Sequence, residues 1–493
     1  MSRPLNVLFV TSEVEPFAKT GGLADVSAAL PQTIKELGHE IRIILPRYGC
    51  ISERRSKLHN VLRLKEIPIP IGKSAATANI KSSTIDSKKS KVQVYFIENQ
   101  EYFGHQDLYV DSATKKDFPN NDERFIFFCR AVLETLKRLG WQPDIIHLND
   151  WQSGLIPAYL HTFYKDDPFY KGIQTVFTIH NLAYQGIFPA SSFQKTGLPK
   201  ELFSPEHIEF FGKMNCLKAG LVFTNAITTV SERYSHEIQT SPEYGCGLEG
   251  VLLKRKNDIS GIINGIDYCI WNPETDDLIP VRYSMKDIEL KSENKRYLLH
   301  NHGMEYHPEV PLIGMISRLA DQKGFDLLSE IFEDMMKLNV QFILLGTGEK
   351  KYHDLFEKIH KKYTCRVGIN LKFDDTLAHT IEAGADMFLM PSRYEPCGLN
   401  QLYSLRYGTV PIVRSTGGLD DTIDDIDTSP KGTGFKFQKY DGKELLKVIQ
   451  RAVKVYADKT AWQKIQRNGM SKDFSWESSA KQYIALYRKL LRQ

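Results

Sequence analysis

Apolar runs of strand length alternate with helix-period stretches along most of this chain. Residues 5–10 form a first buried strand, two glycines follow, and 24–37 then carries apolar side chains at helical spacing. Residues 41–45 make a second strand after the Gly38 stop. Asn120 and Glu123 form a capping-box pattern. Phe125, Phe128, Val132, Leu136 and Leu139 then lie on one helical face, which Gly140 ends. Short strands follow at 145–148, 175–179 and 226–230. Residues 70–91 are poor in large apolar side chains and rich in serine, and read as an exposed loop or hairpin tip. After the polar, charged stretch 283–305 the series restarts, with strands at 312–317, 341–345, 365–371, 387–390 and 410–413 and a helix from Gly324 to about residue 338. Strands alternating with helices in this order predict doubly wound parallel sheets, one in each of two α/β halves. Residues 476–491 form a last helix with Tyr483, Ile484, Tyr487 and Leu490 on its apolar stripe. It packs on the second half or crosses back to the first.

Composition leaves that picture standing. The chain has 493 residues, 42% hydrophobic and 25% charged, with a net charge of +4. Those fractions exclude disordered, collagenous and coiled-coil classes, and the charge is too small to suggest a nucleic-acid partner. Seven cysteines stand far apart with no C-x-x-C pair, which fits a reducing cytoplasm better than a disulfide scaffold or a zinc knuckle. No apolar run reaches membrane-span length, so no membrane partner is expected.

Four loops concentrate candidate chemistry. K-T-G-G-L-A-D-V, 19–26, sets Lys19 beside Gly21 and Gly22 at a helix start, where free N–H groups and a cation suit phosphate. S-R-L-A-D-Q-K-G, 317–324, places Arg318 and Lys323 between a strand and a helix. P-S-R-Y-E-P-C-G-L-N-Q-L, 391–402, places Glu395 and Cys397 after a strand. S-T-G-G-L-D-D-T, 415–422, repeats the paired glycines at Gly417 and Gly418. H-L-N-D-W (147–151) and H-N-L-A-Y-Q-G (180–186) add His147, Asp150 and His180 for sugar or metal contacts. Each loop alone is equally a solvated turn, and a lone histidine is ordinarily structural. Together they point to a diphosphate ligand. The G-x-G at Gly346–Gly348 lacks the third glycine of a dinucleotide fingerprint, which argues against a nicotinamide oxidoreductase.

These motifs, with I-N-G-I-D (263–267), Y-G-C-G-L-E-G (244–250) and D-F-P-N-N-D-x-R-F (117–125), resemble in content and order the bacterial and plastid-type glycogen and starch synthases. The resemblance implies a GT-B fold: two Rossmann-like domains facing a cleft, here 1–258 on the acceptor side and 259–473 on the nucleotide-sugar side. A C-terminal helix, 474–493, would return to the first. It implies a retaining glucosyltransferase that extends an α-1,4-glucan (glycogen) from ADP-glucose, with no cofactor and no required metal. Lys19 would then contact the donor near its diphosphate, and Arg318 and Lys323 would neutralise the leaving phosphate. Glu395 would hold the glucose near its reacting carbon, with His180 on the sugar's other side. Asp150 and Asn264 would bind glucose or acceptor. Gly417 and Gly418 would offer N–H groups to phosphate. Gly21, Gly22, Asp25, Cys397, Gly398, Leu399 and Thr416 complete the substrate-binding set. Phe373 would stack on adenine without the hydroxyl that some members carry there. Position 149 is asparagine where many bacterial relatives have a second histidine. A non-catalytic glucan-binding protein would be expected to have lost Glu395, Lys19 or Arg318, and all three are present. K-T-G-G-L-A-D-V argues against a trehalose- or sucrose-type transferase. The choice between ADP and UDP, and the oligomeric state, stay open.

Overall fold

The computed structural model describes residues 3–87 and 89–492. It divides into two compact units. One holds the chain as far as Val230, then Ser235–Gly265, and again from Trp476 on. The other holds Ser231–Tyr234 and Ile266–Ser475.

The first unit is built on one large sheet. Its parallel part runs Ile259–Gly261, Ala226–Thr229, Gln174–Ile179, Ile145–Asn149, Asn6–Val10, Glu40–Pro46, Lys91–Glu98 in spatial order. Ser74–Asp86 then adds antiparallel, and His59–Asn60 and Ile67–Ile71 pair with it. The second unit has an all-parallel sheet in the order Val367–Asn370, Gln341–Leu345, Leu312–Ile316, Met387–Met390, Val410–Arg414, Phe435–Phe437. Helices cover these strands, which is why they read as unbroken apolar runs. In Phe325–Lys337, for example, Phe325, Leu328, Ile331, Phe332 and Met335 fall on one face and join the buried core.

Three local expectations need correction. Residues 70–91 are mostly strand: Ser74–Asp86 is extended, with Ala78, Ile80 and Ile85 buried. Cross-strand pairing on both sides supports a sequence whose serines and alanines carry little hydrophobic signal. The capping box at Asn120 does not form, because the Asn120 side chain caps nothing. Asn121 is used instead: its amide donates to Tyr109 O and its carbonyl accepts from Arg124. Finally, the first unit continues past residue 258 to Gly265, because Ile259–Gly261 pairs with Ala226–Thr229 in its sheet.

Strand order reverses in each sheet, and at the reversal the carboxyl ends of neighbouring strands open a crevice. In the first unit this lies between Asn6–Val10 and Ile145–Asn149, and in the second between Leu312–Ile316 and Met387–Met390. The loops of Lys19, Asp150, Arg318 and Glu395 emerge from those strand ends, and the loops of His180 and Gly417 from the adjacent strands Gln174–Ile179 and Val410–Arg414.

Candidate functional site

In the second unit the loops after Leu312–Ile316 and Met387–Met390 are tied together by one ion pair. Lys323 Nζ lies 2.6 Å from Glu395 Oε2, and Ser392 Oγ donates to the same oxygen at 3.1 Å. Both charged side chains are largely buried. Backbone contacts hold the register: Arg393 N donates to Gln322 O at 2.8 Å, and the Gln322 amide donates to Tyr394 O at 3.1 Å. Gly324 has φ +77°, and a Cβ there would stand 2.1 Å from Pro391 O. Only glycine lets the two loops approach this closely. Arg318 projects to solvent from the first loop. Beneath it, Gly346 and Gly348 press against the carbonyls of Ser317 and Leu319. The G-x-G is therefore a packing device for the Arg318 loop.

Gly417 and Gly418 close the crevice from the next strand. Cβ atoms there would lie 2.0 Å from Glu395 O and 2.0 Å from Cys397 O. The Gly418 N–H donates to the carbonyls of Glu395 and Pro396 at 3.1 and 3.2 Å. This corrects the expectation for Gly418: its N–H holds the Glu395 loop and is not offered to phosphate. Thr416 is buried at the helix start, and its N–H donates to Arg414 O. Cys397 is buried, and Gly398 (φ +72°) turns the chain so that the Gln401 amide reaches the carbonyls of both. Leu399, half-buried, precedes the helix Asn400–Arg406. Phe373 is 86% exposed, a bare aromatic face on the loop after Val367–Asn370.

In the first unit Lys19 Nζ pairs with Asp25 Oδ1 at 2.6 Å, both side chains open to water. The loop that carries Lys19 is shaped by a residue the sequence reading passed over. Buried Glu13 accepts from Thr20 N–H, Thr20 Oγ1, Gly21 N–H and the Tyr109 hydroxyl. Gly21 has no atom within 4 Å of a would-be Cβ, and Gly22 begins the helix Gly22–Glu36. Asp150 sits in a left-handed conformation (φ +52°) at the end of Ile145–Asn149, and its Oδ1 accepts His180 N–H at 2.8 Å. Burial pushes its carboxyl up to about 7, so it exchanges a proton near neutrality. Burial also pushes His180 down to about 4, which keeps the ring neutral. Its Nε2 lies 2.9 Å from Asn149 Oδ1, and the Asn149 amide donates to Val10 O. That second bond fixes Oδ1 as the acceptor, so Nε2 carries the proton and Nδ1 presents a lone pair suited to a sugar hydroxyl. Asn149 is thus the positioning partner of His180, which its bare identity did not reveal. Asn264, on the loop after Ile259–Gly261, is buried with no hydrogen-bond partner for its Oδ1. His147 is instead locked between Tyr487 OH and Thr178 Oγ1, both at 2.6 Å. No group of three or more metal-ligating side chains stands together among the described residues.

Comparison with known proteins covers the whole chain. A family model described as Starch synthase catalytic domain matches residues 6–254, and one described as Glycosyl transferases group 1 matches 305–469. The chain is 46% identical over 488 residues to the glycogen synthase of Koribacter versatilis, covering 98% of each. It is 45% identical to that of Desulforudis audaxviator, covering all of this chain and 97% of the other. The fold matches the catalytic domain of starch synthase IV from Arabidopsis thaliana, solved with ADP and acarbose, at TM-score 0.88, 34% identity and full coverage of both. A sucrose-phosphate synthase from Thermosynechococcus elongatus, 18% identical at TM-score 0.58 over 99% of each, shares the fold alone.

Proposed function

The chain belongs to the glycogen and starch synthase family, and from that premise we propose how its residues divide the work. The enzyme is a glucosyltransferase that elongates an α-1,4-glucan in glycogen biosynthesis. ADP-glucose is the donor we assign, with glycogen or a shorter glucan as acceptor. The observation that carries the donor assignment is the 2.6 Å Lys323–Glu395 pair at the strand ends, beside the exposed guanidinium of Arg318. Lys323 uses one of its three N–H donors on Glu395, which leaves two for phosphate oxygens. As ADP departs, negative charge grows on the terminal phosphate. Arg318 and Lys323 stabilise that charge more in the transition state than in the ground state. Lys19 adds a further diphosphate contact, and Phe373 stacks on the base. Glu395 and His180 hold the glucose. Asp150 and Asn264 hold glucose or acceptor hydroxyls.

The new bond keeps the donor's anomeric configuration. We assign retention to same-face attack guided by the departing phosphate, because the donor motif carries only one suitable carboxylate. We place the enzyme in the cytoplasm. The seven cysteines support this, since none forms a disulfide, as a reducing compartment keeps them. No helix among the described residues is long and apolar enough to cross a membrane.

The test is donor competition. Radiolabelled ADP-glucose and UDP-glucose are offered at equal concentration with glycogen, and the product is digested with β-amylase. Label from ADP-glucose that is released as maltose is the expected result. Preference for UDP-glucose, or label resistant to β-amylase, overturns the assignment.

A further inference from the structure

The donor and acceptor contacts above leave one conspicuous side chain unexplained. Phe211 is 81% exposed, the tip of a two-residue hairpin turn between Phe210 and Lys213. Its φ is +49° and that of Gly212 is +76°, the sign pattern of a type I′ turn. Such turns favour Asn-Gly, and a bulky aromatic residue at positive φ is a strained choice. Here strain and exposure fall on the same residue, and stability alone selects neither.

Neighbouring residues back one side of the ring. Phe210 meets it edge-on at 4.7 Å. Gly247, from the Y-G-C-G-L-E-G loop, lies against both rings: a Cβ there would stand 2.9 Å from Phe210 and 3.4 Å from Phe211. That loop is tied down by Gln185 of H-N-L-A-Y-Q-G, whose amide donates to Cys246 O at 3.0 Å and whose carbonyl accepts from Asn215 at 2.7 Å. The Glu209 carboxylate accepts the Gly212 N–H, and buried Lys218 donates to Glu209 O. One face of Phe211 is thus buttressed while most of the ring stays open to water.

The hairpin also points back to the acceptor residues. At its base, Cys216 N and Leu217 N donate to Gly186 O and Gln185 O. Gly186 lies flat on Trp151, the neighbour of Asp150: a Cβ there would stand 2.3 Å from the indole. The strand Lys213–Asn215 and the turn beyond it carry Phe211 away from Cys216, by at most about 17 Å over five residue steps. Tyr184, 56% exposed, offers a second ring at the base.

We propose that Phe211 is an outer stacking platform for the acceptor glucan, reached by long chains and not by short ones. The inference rests on the reading that this enzyme extends an α-1,4-glucan. The apolar C–H faces of glucose rings suit an exposed aromatic plate. The platform's offset from Asp150 means that only a chain several sugars long spans both.

The test pairs Phe211→Ala with Phe211→Asn. For Phe211→Ala, KM for glycogen rises roughly 5- to 30-fold, the loss of one aromatic anchor. Its kcat and donor KM hold, KM for maltotriose shifts less than twofold, and Phe211→Trp restores glycogen KM. Phe211→Asn creates an Asn-Gly turn, so it raises the melting temperature while losing glycogen affinity equally. A purely structural role moves those two readouts in the same direction. Equal losses on maltotriose and glycogen, unchanged glycogen KM, or a change in self-association instead of glucan affinity each overturn the platform. Affinity electrophoresis in glycogen gels reads the same contact without donor. An inactive wild-type protein that still binds glycogen through Phe211 would therefore sink the transferase reading and spare this one.

Discussion

Lys323 and Glu395 are charge partners in a largely buried crevice, so neither can be removed alone without consequence. Lys323→Ala leaves a buried carboxylate without its cation, a change worth about 3–5 kcal/mol in stability. It also removes the phosphate contact proposed above. The double variant Lys323→Met with Glu395→Gln is expected to regain most of the melting temperature yet stay inactive, which thermal melts and transfer assays on the same samples will show. Recovery of activity in the double variant would contradict a direct role for the pair. A second prediction concerns pH. Burial holds His147 down to about 3 and His180 down to about 4, against 6.5 when free, and raises Asp150 to about 7 from 3.8. Lowered histidines contribute stability that is full above pH 6.5 and lost as pH falls toward 4. Raised Asp150 contributes stability that is full below 3.8 and lost as pH rises through 7. Between pH 4.5 and 6.5 the two histidines pull one way and Asp150 the other, and buried Glu382, raised to about 8 from 4.5, pulls with Asp150. Asp150→Asn removes one opposing group, so the loss of stability on acidification should steepen by about 1.4 kcal/mol per pH unit in urea melts across that window; an unchanged slope would show that Asp150 is not the titrating group. Lys323, Glu395, Asp150 and His180 were legible because short motifs carry them. Glu13, Asn149 and Gln185 were not, because their meaning lies in partners that only folding supplies.

The same limit governs the elements. The pairs Gly21–Gly22 and Gly417–Gly418 look alike in sequence, each before a helix, but the physical reasons differ. Gly21 has open space around it, while Gly417 (φ +46°) and Gly418 are jammed against the backbone of the Glu395 loop. Gly417→Ala must push Glu395 O aside and strain its own backbone. It should cost about 1–3 kcal/mol as overpacking and lower kcat sharply. Gly21→Ala meets nothing and should leave the stability within about 0.5 kcal/mol of wild type, a surface-substitution effect, so any lost activity reports ligand approach. Equal destabilisation by both would refute the distinction. Parallel strands were readable because burial on both faces makes them apolar runs. The polar strand Ser74–Asp86 was not, since its pairing replaces hydrophobic signal with backbone hydrogen bonds.

At the scale of the molecule, the first unit is discontinuous in sequence, and the helix Trp476–Leu490 completes it. That helix packs along Gly22–Glu36 and buries Tyr483, Ile484, Tyr487 and Leu490. Sequence showed the apolar stripe but could not say which half it covers, because a stripe names no partner. The partner is recorded in a buried relay: Tyr487 OH to His147, His147 to Thr178, and Thr178 to Thr228 at 2.5 Å, crossing three strands of the sheet. Burying four large side chains is worth about 1.5–3 kcal/mol each, and a domain's whole stability is about 5–15 kcal/mol. A chain ending before Trp476 should therefore lose hydrogen-exchange protection throughout the Asn6–Val10 and Ile145–Asn149 strands, while the Leu312–Ile316 and Gln341–Leu345 strands keep theirs. Tyr487→Phe is the milder probe, leaving one buried nitrogen of His147 unsatisfied at a cost of about 1–3 kcal/mol. His147 lies two residues before the Asn149–Asp150 pair whose side chains hydrogen-bond His180. The Phe variant should therefore lower kcat modestly as well as stability, although Tyr487 is fully buried. Wild-type exchange protection in the truncated chain would mean that the helix is an appendage and that the first unit folds without it.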